Sequence, residues 1–207
     1  MLMSVQERRE LPDLVPPGYW GYGVENIYII NNFATDSEIK NLNEYVVNVT
    51  DWTGNQEDYR YKDKIHLNIH QSMFPLFDDL FSRMKNNIQA VFPVEVIPNG
   101  LSICKWAIGD SQPVHADKQE QDGRPNSQHD QDLASVIYIN DGSEFEGGEL
   151  YFPNQSLQIK PKAGMAVFFP GDINYSHGVK TVTSGTRSTI PFFWKVICVK
   201  QDGEKTA

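Results

Sequence analysis

At 207 residues with 40% apolar content, the chain is long enough for one sizeable core, and its length does not call for a second domain. A formal net charge of -9 and a pI near 5.0 exclude a general phosphate-backbone binder, whose affinity comes from clustered Lys and Arg. Two cysteines, Cys104 and Cys198, each in an apolar run and far from the other, exclude a disulfide framework and a zinc knuckle and are expected to be buried free thiols. The charged N-terminus lacks a signal-type apolar stretch and no apolar run approaches a membrane span, so a cytoplasmic protein is expected.

The expected organisation is an N-terminal arm at residues 1–25, a single domain at 26–200 and a tail at 201–207. The arm is polar and then rich in Pro, Gly and aromatics (Pro16, Pro17, Gly18, Tyr19, Trp20), which reads as extended chain lying on the domain. Ile27, Ile29 and Ile30 mark a first strand at 26–31. Thr35 and Glu38 are spaced as a capping box for a helix running to about 49. A polar, aromatic loop at 51–64 precedes a strand at 65–69. Residues 72–92 form the clearest helix, with Phe77, Leu80, Phe81, Met84, Ile88 and Val91 on one stripe that belongs to the core.

From residue 94 onward the pattern changes to short strands, at 94–97, 101–108, 133–140, 149–152, 157–160, 165–169, 178–182 and 189–199, punctuated by Gly, Pro, Asn and Asp. Many strands after two helices predict an α+β, mainly β fold: a jelly-roll (double-stranded β-helix) core with helices packed on one face. The polar stretch at 118–132 is too long for a plain connection and reads as a lid or binding loop, or as disorder.

Candidate chemistry begins at Gln112-Pro113-Val114-His115-Ala116-Asp117. Side chains at i and i+2 of a strand leave the same face, so His115 and Asp117 are spaced to grip one metal ion. The spacing alone is common, and the C-terminal third supplies its context. His177 follows the turn at 170–174, and Arg187 lies ten residues on. With 183–186 as the hairpin between them, the two are expected on neighbouring strands serving one pocket. Two His and one carboxylate leave open positions on an octahedral ion, as non-haem Fe(II) requires, whereas zinc more usually closes its shell. A buried Arg then holds a carboxylate in a two-bond fork that Lys cannot reproduce.

The ordered set Ser135-Val136-Ile137-Tyr138-Ile139-Asn140, Phe145-Glu146-Gly147-Gly148-Glu149-Leu150-Tyr151-Phe152-Pro153, Lys160-Pro161-Lys162-Ala163-Gly164-Met165-Ala166-Val167-Phe168-Phe169-Pro170, His177-Gly178-Val179 and Gly185-Thr186-Arg187 resembles the 2-oxoglutarate- and Fe(II)-dependent dioxygenases of the prolyl 4-hydroxylase type. The resemblance spans residues 101–194, about half the chain. It implies that His115, Asp117 and His177 bind iron, that Arg187 pairs with the distal carboxylate of 2-oxoglutarate, and that the Tyr138 hydroxyl reaches the same carboxylate. Trp106 and Gln112 stand where many relatives carry pocket tyrosines, so contacts there are expected to differ.

The implied activity is hydroxylation of a C–H bond, most readily in a prolyl residue of a peptide or protein, using Fe(II), 2-oxoglutarate and O2 with release of succinate and CO2, and ascorbate as a possible reductant. The expected partner is a peptide or protein substrate, with neither nucleic acid nor membrane. Oligomeric state is not legible. A hydroxylase of another side chain or of a small molecule, a nucleic-acid demethylase, a cupin-like metal-binding module and a non-catalytic relative are the alternatives. The demethylase reading is disfavoured because it needs a second arginine six residues past the first, where Phe193 stands. His66 and His70, four apart in a strand-like run, are read as structural, His129 as solvated, and Tyr59 and Tyr61 as loop tyrosines with a peptide contact as the alternative.

Overall fold

The computed structural model describes residues 7–8, 10–53 and 62–200. Tyr59, Tyr61 and the tail at 201–207 lie outside them. The elements run β1 (Tyr28–Ile30), α1 (Asp36–Asn48), β2 (Ile65–His66), α2 (Phe74–Val91), β3 (Val94–Leu101), β4 (Ile103–Trp106), β5 (Gln112–His115), β6 (Leu133–Tyr138), β7 (Phe145–Gly147), β8 (Leu150–Phe152), β9 (Leu157–Ile159), β10 (Ala166–Pro170), β11 (His177–Val179), β12 (Val182–Gly185) and β13 (Arg187–Val199).

Both helices start and pack as the pattern predicts. The Thr35 hydroxyl accepts from the Glu38 N–H at 3.3 Å, and the Glu38 carboxylate accepts from the Thr35 N–H at 2.7 Å, a complete capping box. In α2, Phe77, Leu80, Phe81, Met84 and Ile88 are buried, but Val91 is not. It falls on the last turn, and Phe92 just beyond fills that part of the core.

One sheet has strand order β1-β10-β6-β13-β4-β2, with β3 also on β13; the second has order β5-β11-β8-β9. The period-two alternation of the central strands divides the core in two. Leu133, Ile137, Ile190, Phe192 and Trp194 face the helices with Leu80, Met84 and Leu42. Their neighbours Ala134, Tyr138, Val167 and Phe169 point the other way and pack on Leu150, Phe152 and Ile159 of the second sheet. The result is the expected jelly roll: two facing sheets with helices on the outer face of the larger one.

Three local expectations are corrected. The strand foreseen at 65–69 shrinks to Ile65–His66, because His66 turns inward to Tyr45 Oη at 2.8 Å and the chain then enters a short 3-10 turn at Gln71–Met73. Residues 183–186 are not a hairpin joining His177 to Arg187. β12 instead pairs with β7 in a separate two-stranded sheet and carries the chain from one main sheet to the other. Cys198 is exposed and Cys104 half-buried, though both are free: a register shift of β13 against β3 between Val196 and Cys198 breaks the alternation and leaves Ile197 and Cys198 both exposed.

Candidate active site

β5 and β11 are antiparallel neighbours, with His115 and His177 directly opposite each other, so both imidazoles leave the same end of the smaller sheet. Their ring centroids are 4.5 Å apart. Asp117 lies just past the end of β5, and its backbone N–H donates to the Gly171 carbonyl at 3.0 Å, which fixes the carboxylate beside the two rings. Asp117 Oδ1 is 3.7 Å from His115 Nε2 and 3.8 Å from His177 Nε2, and one ligand atom from each of the three residues lies within 4.8 Å of the others. Among the described residues this is the one group of three or more His, Cys, Asp or Glu so arranged.

Each histidine is oriented from behind. His115 Nδ1 sits 3.0 Å from the Pro113 carbonyl and His177 Nδ1 3.1 Å from the Tyr175 carbonyl, so in each ring Nδ1–H donates to backbone and Nε2 carries the lone pair. Phe152 and Phe169 flank the His177 ring at 5.6 and 4.6 Å. Burial pushes His177 down to about 4, and burial followed by the nearness of His177 lowers His115, so both imidazoles are neutral near pH 7. Burial pushes the Asp117 carboxyl up to about 6, partly offset by His115. Two neutral nitrogens beside a buried carboxylate with an unbonded Oδ2 form a site that a divalent cation would neutralise.

Arg187 begins β13 in the opposite sheet, in register with Trp106 of β4. It therefore faces the histidines across the interior and is not their strand neighbour. The guanidinium is 3% exposed, its carbon lies 5.3 Å from the Tyr138 ring, and Nη1 makes a long 3.4 Å contact to Thr189 Oγ1. Arg187 Nε and Tyr138 Oη are buried without hydrogen-bond partners. Burial, opposed by the neighbouring guanidinium, raises the Tyr138 phenol, which is neutral.

All of this opens on a cavity of about 1520 Å³. His115, Asp117, His177, Arg187, Trp106 and Gln112 line it, and Tyr138 stands behind Arg187. Gln112 Nε2 is 3.1 Å from His115 Nε2, the lone pair a metal would take. The segment 118–132 forms one wall of the mouth, so its reading as a binding loop agrees with its position. Leu101, Val136, Pro191 and Phe193 supply an apolar wall.

His66 is buried between Tyr45 and Asp51, as its structural reading requires, while His129 is held at 2.9 Å by Asp13 and is not merely solvated. Two contributors were not singled out in sequence. Gln131 lines the cavity, with its buried Oε1 unpaired. Gly148, at φ +67, lies under Arg187, where a Cβ would come within 2.7 Å of Cδ; its signal was the Gly147-Gly148 pair, read only as strand punctuation.

The model of the 2OG-Fe(II) oxygenase superfamily matches residues 102–195, a stretch holding the three-ligand cluster and Arg187. Over that stretch the chain is similar to the 2OG-Fe(II) oxygenase superfamily. The chain resembles the prolyl 4-hydroxylase type, in line with the sequence. It is 32% identical over 124 residues to a PKHD-type hydroxylase of Pseudomonas aeruginosa (58% of this chain, 52% of that one), and 32% identical over 96 residues to human prolyl 3-hydroxylase 2 (41% and 13%). It thus spans about half the bacterial relative and a small part of the human one. In fold it resembles the viral collagen prolyl hydroxylase of Paramecium Bursaria Chlorella virus-1, with TM-score 0.61, 16% identity, and 84% of this chain and 97% of that one covered. It also resembles a Trichoplax adhaerens prolyl hydroxylase solved with a hypoxia inducible factor peptide fragment, with TM-score 0.57, 19% identity, and 92% and 91% covered.

Similarity to the superfamily implies Fe(II), 2-oxoglutarate and O2, and the residues of this chain fit that set. The unbonded Asp117 Oδ2 and two Nε2 lone pairs suit the ion, while the unpartnered Arg187 Nε and Tyr138 Oη suit a carboxylate.

Proposed function

We propose that this chain is an Fe(II)- and 2-oxoglutarate-dependent oxygenase that hydroxylates a C–H bond of a prolyl residue in a peptide or protein. The reading is carried by the meeting, in one cavity, of a His115-Asp117-His177 ligand set from one sheet and an unsatisfied buried Arg187 from the other. Bound iron supplies O2 activation: one oxygen atom ends in the new hydroxyl, and the other joins 2-oxoglutarate as it splits into succinate and CO2.

The protein's own work is placement. His115, Asp117 and His177 would hold the ion and, being only three ligands, would leave coordination positions for 2-oxoglutarate and O2. The Gln112 amide, 3.1 Å from His115 Nε2, would have to give up that lone pair to a bound ion. Arg187 donates to the distal carboxylate of 2-oxoglutarate with the neutral Tyr138 hydroxyl beside it, and Trp106 closes the adjoining wall. The rings of Phe152 and Phe169 hold water away from His177.

The cavity mouth supports a peptide substrate. Its apolar wall suits a pyrrolidine ring, and its polar wall of Gln and Asn side chains suits flanking peptide groups. Relatives named as prolyl hydroxylases point the same way. Ascorbate is proposed only as the reductant that returns oxidised iron to Fe(II).

The test is incubation of iron-loaded protein with 2-oxoglutarate, O2 and proline-rich peptides, read by mass spectrometry for the gain of one oxygen atom. Succinate is followed in parallel without peptide. Succinate without a modified prolyl peptide would retain the oxygenase and reject the substrate; neither product would reject both.

A further inference from the structure

The carboxylate ligand sits at the start of a long polar segment with little regular structure, which is a poor platform for a metal site. The segment is nevertheless held from behind. Lys118, the residue after Asp117, is buried and donates from Nζ to Asp132 Oδ1 at 2.5 Å and to the Val15 carbonyl at 3.1 Å. Asp132 is fully buried, and its Oδ2 accepts from the Val196 N–H at 2.8 Å. Its backbone carbonyl accepts from the Gly171 N–H at 2.9 Å, and the Gly171 carbonyl in turn receives the N–H groups of Asp117 and Lys118 at 3.0 and 3.1 Å. A second set lies alongside. Asp13 bonds the fully buried Lys195 at 2.8 Å through Oδ1 and His129 at 2.9 Å through Oδ2. Farther along the arm, the Gly18 N–H donates to Asp172 Oδ2 at 2.9 Å.

We propose that the N-terminal arm is a built-in part of the metal centre, with Asp13, Lys118, Asp132 and Lys195 as positioning residues that hold Asp117 in coordinating geometry. The inference rests on the reading of His115, Asp117 and His177 as metal ligands. Lys118 cannot leave its burial without abandoning both Asp132 and the arm, and a buried ion pair that loses one partner is strongly unfavourable. The arm thus braces the segment at both ends: the Val15 carbonyl holds Lys118 beside Asp117, while Asp13 neutralises Lys195, next to the Val196 N–H that bonds Asp132, and ties down His129 near the far end. Groups behind the ligands tune metal affinity because they fix where the ligand atoms stand.

The experiment measures dissociation constants for Mn(II) and Co(II) by calorimetry on the full chain, well below the thermal midpoint, for wild type, Asp13→Ala, Asp13→Glu and Lys118→Met. Asp13 does not line the cavity and is half-exposed, so the first variant is expected to fold. Its affinity should fall about tenfold, Asp13→Glu should recover most of the loss, and Lys118→Met should fall at least as far. The Co(II) absorption bands should change in shape as well as strength, which loss of stability alone would not produce. Wild-type affinity and spectrum in folded Asp13→Ala, with only a lower thermal midpoint, would overturn the proposal while leaving the metal site standing. Failure of wild type itself to bind either ion would overturn the ligand reading and the proposal together.

Discussion

Asp117 and His177 are buried by the same walls yet shifted in opposite senses, because burial disfavours whichever form is charged. Between the ordinary 3.8 and about 6, the folded chain keeps a proton on Asp117 that the unfolded chain has released, so this carboxyl makes stability fall as pH rises. Between about 4 and the ordinary 6.5, the unfolded chain protonates a histidine that folded His177 leaves neutral, so this group makes stability rise with pH. In metal-free protein the two oppose each other. Asp117→Asn removes the first alone, and its stability relative to wild type should rise between pH 4 and 6 by on the order of 1–3 kcal/mol. Denaturant midpoints across that range check this, and parallel curves for the two proteins would refute it. At the other wall, Arg187→Ala should raise the 2-oxoglutarate concentration needed for half-maximal succinate formation by tenfold or more, with Mn(II) binding unchanged, since the guanidinium reaches the co-substrate and not the ion. Titrating the co-substrate against both proteins measures it.

Elements matter here by what they bring face to face. The candidate ligands His115 and His177 ride on β5 and β11 of the smaller sheet with Asp117 just past β5, and Arg187 rides on β13 of the larger one. The cavity is the space between the sheets, and separation of the sheets would take the clamp from the ligands. Gly148, just before β8, sits at that seam in a left-handed conformation beneath Arg187. Gly148→Ala should cost about 1–3 kcal/mol in stability and weaken 2-oxoglutarate use, because both its φ and its Cβ are opposed. Thr35→Ala is the control: loss of the α1 cap should cost about 1 kcal/mol with co-substrate and metal affinities unchanged. Thermal melts and ligand titrations of the two variants separate a seam effect from general weakening.

Across the whole molecule, two cores share one sheet, so the site's rear wall is also the bed of the helices. A ligand that binds only the folded site should therefore stabilise the entire fold. Mn(II) at a hundredfold excess over its dissociation constant should add about 2.7 kcal/mol, readable as a rise in thermal midpoint. That rise should vanish in His177→Ala, and its persistence there would move the binding site elsewhere.

The family motif order made His115, Asp117, His177 and Arg187 legible because ligation and carboxylate recognition need those residue types, and the alternating strands and the α2 stripe made the jelly roll legible because burial follows local periodicity. Element ends were less legible: β2 stops at His66 through a side-chain contact to Tyr45, and Val91 yields its core place to Phe92. The placement of His177 and Arg187 on opposite sheets was missed, since 183–186 has hairpin-like composition but pairs with β7, and strand pairing is a long-range choice that no local pattern encodes. The bonds joining Asp13 to Lys195 and Lys118 to Val15 likewise connect residues far apart in the chain. Sequence by itself thus determined which candidate metal- and carboxylate-binding residues the chain holds and which faces are buried; tertiary structure alone decided which sheet bears each group and what holds the arm to the site, because only folding brings distant segments into contact.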